Sequence, residues 1–145
     1  YQLSLVGITT VETCCDSTQT PTLDSQIARL STPPVGFAVS DEITALTTGV
    51  SILTFRMPYA MNISRVKASL TTAQASGDEI TIDVLQNGTS IFSIPLTIDN
   101  TEKTSVTATN PAVISTTSLL DDAEITIDIP QIGDGTATGL KIWLI

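Results

Sequence analysis

Histidine is absent from the 145 residues, and with it the commonest general base and metal ligand. Ser-His-Asp and Cys-His catalysis in their usual forms are therefore excluded. Aromatic residues make up only 4% of the chain, which leaves little stacking surface for sugars, bases or flat cofactors. Neither G-x-x-x-x-G-K-[ST] nor G-x-G-x-x-G occurs, so no phosphate-cradling loop is legible. Basic residues are scarce: six stand against fifteen acidic ones, a net charge of -9. The six are scattered along the chain and form no nucleic-acid patch in sequence. The average field repels DNA and anionic membranes alike. No apolar run approaches the ~18–20 residues that span a bilayer. Tyr1 to Thr10 lacks the basic n-region of a signal peptide, and a start at Tyr1 fits either a trimmed chain or a piece of a longer one. The reading excludes an enzyme, a nucleic-acid partner and a membrane partner, and expects no catalytic residue, no cofactor and no metal.

Cysteine is limited to Cys14-Cys15. Neighbours cannot cross-link distant parts of a fold, and a bond between them closes a strained small ring. Without histidine they also fall short of a zinc site. They read as two free thiols; the competing reading is a bond to another chain.

What is present is Ile, Val and Leu interleaved with Thr and Ser. β-Branched side chains lose rotamer freedom in helices and pack well on a pleated surface, so the composition favours strands. A length of 145 residues suffices for one domain with a core and hardly for two. Residues 1–40 differ in texture, with Thr and Ser clusters, Pro21 and the break Pro33-Pro34. Leu23, Ile27 and Leu30 follow i, i+4, i+7 spacing and predict a short helix within Thr22–Ser31, with Asp24 favouring its first turn. This region reads as an extended N-terminal arm carrying a small apolar anchor.

From Asp41 to Ile145 the period is two. Strands are predicted at Val50–Met57, Met61–Leu70, Glu79–Val84, Ile91–Ile98, Ala112–Ile114, Glu124–Ile129 and Leu140–Ile145. Asn87-Gly88 is the strongest hairpin signal, because both residues tolerate the positive φ of a type I′ turn. Pro95 removes a donor and predicts an edge or bulge. Ile80, Ile82, Val84, Ile94, Leu96, Ile125, Ile127 and Ile142 are the expected core. The expected fold is all-β: an antiparallel β-sandwich, jelly-roll-like, over 41–145. Glu79–Val84 recurs as Glu124–Ile129, with Gln86 and Gln131 at the same offset. This suggests equivalent places in two facing sheets, unless alternation alone explains it.

Carboxylates remain as candidate ligands. Asp121, Asp122, Glu124 and Asp134 offer hard oxygens to Ca²⁺ but match no EF-hand spacing. A glycosidase pair needs two acids across a cleft, usually with aromatics to grip the sugar. Asn62-Ile63-Ser64 and Asn87-Gly88-Thr89 match the glycosylation pattern, yet strand and turn chemistry already account for them.

Five segments carry a resemblance: Thr54–Tyr59 (TFRMPY), Val66–Ala73 (VKASLTTA), Leu96–Ser105 (LTIDNTEKTS), Asp121–Ile129 (DDAEITIDI) and Gly133–Lys141 (GDGTATGLK). Together they resemble a module of tailed-bacteriophage and prophage structural proteins, over roughly the last two-thirds of the chain. The resemblance implies a virion accessory or fibre module, often trimeric, with no catalytic residue to carry over. Two functions follow as expectations. One is a capsid cement or decoration protein on the outer capsid surface, with the major capsid protein as partner and Leu23, Ile27 and Leu30 as contacts. The other is a tail-fibre or head-fibre tip that binds a host receptor or glycan. The arm-then-domain order favours the first. Apolar residues on both faces of the return strand and the final strand predict a homotrimer with Ile91, Trp143 and Ile145 at the subunit interface.

Overall fold

The computed structural model describes residues 33–145, and the expected helix at Thr22–Ser31 lies outside them. Alternation of period two does carry the architecture, which is all-β, with antiparallel pairing throughout the described residues. The first strand, β1 (Val35–Ala38), lies upstream of position 41, where the sequence reading began the domain. Val35 and Phe37 turn toward the core while Gly36 and Ala38 face out. Two small outward residues directly after Pro33-Pro34 disguise the alternation.

Strand β2 (Gly49–Arg56) is followed by the short β3 (Met61–Asn62) and by β4 (Val66–Ser69). The single strand expected over Met61–Leu70 is thus two. Then come β5 (Ile80–Gln86), β6 (Thr89–Ser90), β7 (Phe92–Ile94) and β8 (Leu96–Ile98). Asn87 and Gly88 link β5 to β6 with φ of 49° and 80°, the positive pair that the turn requires. A 3-10 turn at Ser105–Thr107 precedes β9 (Val113–Ile114), β10 (Ser118–Leu119), β11 (Glu124–Gln131) and β12 (Lys141–Leu144).

Two sheets matter most. One has the order β1-β12-β4; the other runs β2-β11-β5-β6, with β8 also on β5. Their inward residues share one core: Ile80, Ile82, Val84, Leu96, Ile125, Ile127 and Ile142 are all buried, as expected. Ile94 is not, at 45% exposure. The return strand is broken at Pro95, so β7 leaves β5 to pair with β9 (Phe92 with Ile114, Ile94 with Val113). Strand β8 then rejoins β5, Ile98 against Ile80. The two similar segments do not face each other from separate sheets. They are neighbours in one sheet, Val84 beside Ile127 and Asp83 beside Asp128.

Candidate functional site

The open edges of the two sheets come together. Among the described residues β1 and β2 each end their sheet. Phe37 of β1 meets Phe55 of β2 with ring centroids 4.8 Å apart and planes tilted by 58°, within the favoured range for aromatic pairs. Strand edges in soluble proteins are ordinarily guarded by charge, proline or bulges, because unpaired backbone groups recruit other chains. Strand β1 carries no charged residue, and β2 none before Arg56 at its end.

A bulge shapes the start of β2. Ile127 pairs with Leu53 but Ile129 pairs with Gly49, so β2 holds two extra residues. Ser51 sits there at φ 52°, a conformation that costs a non-glycine residue energy. Its N–H donates to Asp128 Oδ1 at 2.7 Å. The bulge blocks regular strand addition at that point and pushes Val50 out to 79% exposure, with Ile52 exposed beside it. The edge therefore offers apolar side chains without charge, on a chain of net charge -9.

The outward face of β4 and β12 has the opposite character. Lys67 stands opposite Trp143, and Lys141 opposite Ser69; Arg65 exchanges backbone hydrogen bonds with Ile145. Lys103 accepts at its carbonyl from the Leu70 N–H at 2.9 Å. Four of the six basic residues thus gather around one small sheet, although sequence order scatters them. Lys141 is matched by Glu42 at 2.6 Å. Trp143 lies against Gly36: a Cβ on that glycine would stand 2.7 Å from the indole Cδ1 and Nε1.

The expected interface residues separate. Ile91 is wholly buried in the core, so it offers no surface to another subunit. The N–H of Ser115 and that of Thr116 donate to its carbonyl, which turns the chain inward there. Trp143 and Ile145 are half-buried on the β12 face. Leu23, Ile27 and Leu30 lie outside the described residues. The edge pair Phe37 and Phe55, with Val50 and Ile52, went unread because only tertiary placement puts two edges side by side.

The loop carboxylates serve the fold. Asp134 Oδ2 accepts from the N–H groups of Ala75 and Ser76 at 2.9 Å each, and Oδ1 accepts from Thr136 Oγ1 at 2.6 Å. These bonds, the Thr136 hydroxyl first, hold its pKa down at about 2. Gln74, buried beside it, donates to Asn100 Oδ1 at 2.6 Å and accepts from Gly133 N–H at 2.8 Å. Glu124 pairs with Arg56 at 3.4 Å. Among the described residues no group of three or more His, Cys, Asp or Glu is placed to hold a metal ion, and no helix is long and apolar enough to cross a membrane. No protein-family model matches the chain, and no curated protein or solved structure does.

Proposed function

We propose that the protein is a structural component of a tailed-bacteriophage particle: a capsid cement or decoration protein that binds the outer capsid surface as a trimer. The observation that carries this reading is the uncharged edge formed by β1 and β2. Such an edge, with Phe37 against Phe55 and with Val50 and Ile52 exposed, suits a chain whose work is to be covered by other chains. In this reading the two main sheets stack as a jelly-roll-like sandwich. The edge supplies the subunit contact in place of Ile91, with Trp143 and Ile145 at its periphery. Residues 1–32, bearing Leu23, Ile27 and Leu30, supply the anchor on the major capsid protein, and the acidic domain stands outside, where like charge keeps particles apart.

The test is co-sedimentation with undecorated capsids. The full chain is expected to pellet with them, and a chain lacking residues 1–32 is expected to stay in solution. Equal binding by both forms removes the anchor from the account. If neither form binds capsids but the domain binds host cells, the fibre-tip reading replaces it.

A further inference from the structure

A groove of about 460 Å³ opens along the edge of β4 that faces away from β12, between Ser64–Lys67 and the segment 111–114. The hydrogen-bond phase of β4 decides what that edge offers. Arg65 N–H donates to the Ile145 carbonyl and the Ile145 N–H donates back, 3.0 Å each. In an antiparallel ladder such pairs alternate with pairs whose backbone groups point outward. Lys67 and Ser69 therefore turn their N–H and C=O to β12, while Val66 and Ala68 turn theirs to the other edge.

That edge is closed at both ends and open in the middle. At one end Ile63 N–H donates to the Thr117 carbonyl at 2.8 Å. At the other, Ala68 N–H donates to Ser105 Oγ and Leu70 N–H to the Lys103 carbonyl, both at 2.9 Å. Between them the Val66 N–H and C=O face the groove with no partner among the described residues. Leu96 lines the interior, and Val106 and Val113, at 65% and 45% exposure, form an apolar wall. Arg65 and Lys67 stand at the rim, and neither is ion-paired among the described residues.

We infer that this groove docks an extended acidic segment of another polypeptide by adding it to the β4 edge. Each feature matches one part of such a segment. A peptide backbone satisfies the Val66 donor and acceptor at strand spacing, as in other edge additions. An apolar side chain of the segment covers Val106 and Val113. Its carboxylates meet Arg65 and Lys67, a local cationic pair on a chain that is otherwise strongly acidic, and charge complementarity of this kind selects the partner. The surface is separate from the β1–β2 edge, and the inference holds whether or not the particle is a virion.

The experiment is amide hydrogen exchange by NMR on the full chain. The probe is an acetylated, amidated pentapeptide alternating acidic residues with valine, and its control carries lysine in place of the acids. In the unbound protein the Val66 amide is expected to exchange faster than those of Arg65 and Lys67. The acidic probe should protect it saturably, the lysine probe should not, and Arg65→Glu with Lys67→Glu should weaken binding by about tenfold or more. Because both substitutions are on the surface, the spectrum should otherwise be unchanged. An unprotected Val66 at millimolar acidic probe overturns the inference. So does equal protection by both probes, or a Val66 amide already slow in the free chain, which would mean the groove is filled by the protein itself.

Discussion

Asp83 and Asp128 stand directly opposite each other on the outward face of the β5–β11 pairing. Each has found a separate partner: Asp83 Oδ1 accepts from Ser90 Oγ at 2.6 Å, and Asp128 Oδ1 from Ser51 N–H at 2.7 Å. Like charges in directly opposed positions destabilise a sheet by about 0.2–1 kcal/mol. Asp83→Asn keeps an oxygen for Ser90 and removes the repulsion. It is expected to raise stability by about that amount at pH 7 and low salt, with the gain shrinking as salt screens the pair. Urea denaturation at two ionic strengths measures both. A loss of stability would mean that the Ser90 bond depends on the full carboxylate charge.

The β5 core and the β7 surface should respond differently to truncation. Ile82 is fully buried in the core, so Ile82→Ala should cost about 2–5 kcal/mol. Ile94→Ala, on the strand that departs toward β9, should cost under about 1 kcal/mol, because nearly half of that side chain is already in water. Equal costs by chemical denaturation would contradict the break at Pro95.

Asp134 makes stability depend on acidity. Its folded pKa, about 2, lies below the ordinary carboxyl value of 3.8. The folded state therefore favours the ionised form, and this contribution is present in full above about pH 4. It fades as pH falls toward 2. Asp134→Asn leaves one oxygen where two now accept, so it cannot serve both Thr136 and the Ala75 and Ser76 N–H groups, and it should lower the melting temperature at pH 7. The gap between variant and parent should narrow between pH 4 and pH 2. A gap that stays constant with pH would show that the contribution of Asp134 does not depend on its charge.

Trp143 is the only tryptophan, so its fluorescence reports on one place. Because a Cβ at Gly36 would overlap the indole, Gly36→Ala should lift the ring off β1 into water and shift its emission to the red. The fold should survive, since a surface ring can swing away. Unchanged emission would place the indole elsewhere.

Much of the fold was legible because alternation is local. Ile80, Ile82 and Val84, or Ile125, Ile127 and Ile129, announce their buried face within six residues. The turn at Asn87-Gly88 is equally local, since two backbone angles define it. Strand β1 was hidden because Gly36 and Ala38 mask its period. Ile91 and Ile94 exchanged roles because Pro95 splits a segment that reads as one strand. The groove and the basic face were out of reach for a different reason: Arg65 and Lys67 meet Trp143 and Ile145 only after β4 pairs with β12 across some eighty positions. Phe37 and Phe55 likewise meet only when two sheets share a core.

The central claim is that this acidic β domain is covered by other chains on a phage capsid, along the β1–β2 edge. A cryo-EM map of intact particles carrying this chain tests it most directly. The account predicts density for the domain on the outer capsid surface, in groups of three, with Val50 and Ile52 turned toward a neighbouring chain and residues 1–32 running onto the shell. Density at the tail tip alone, or an outer-capsid position with the β1–β2 edge facing solvent, would contradict it.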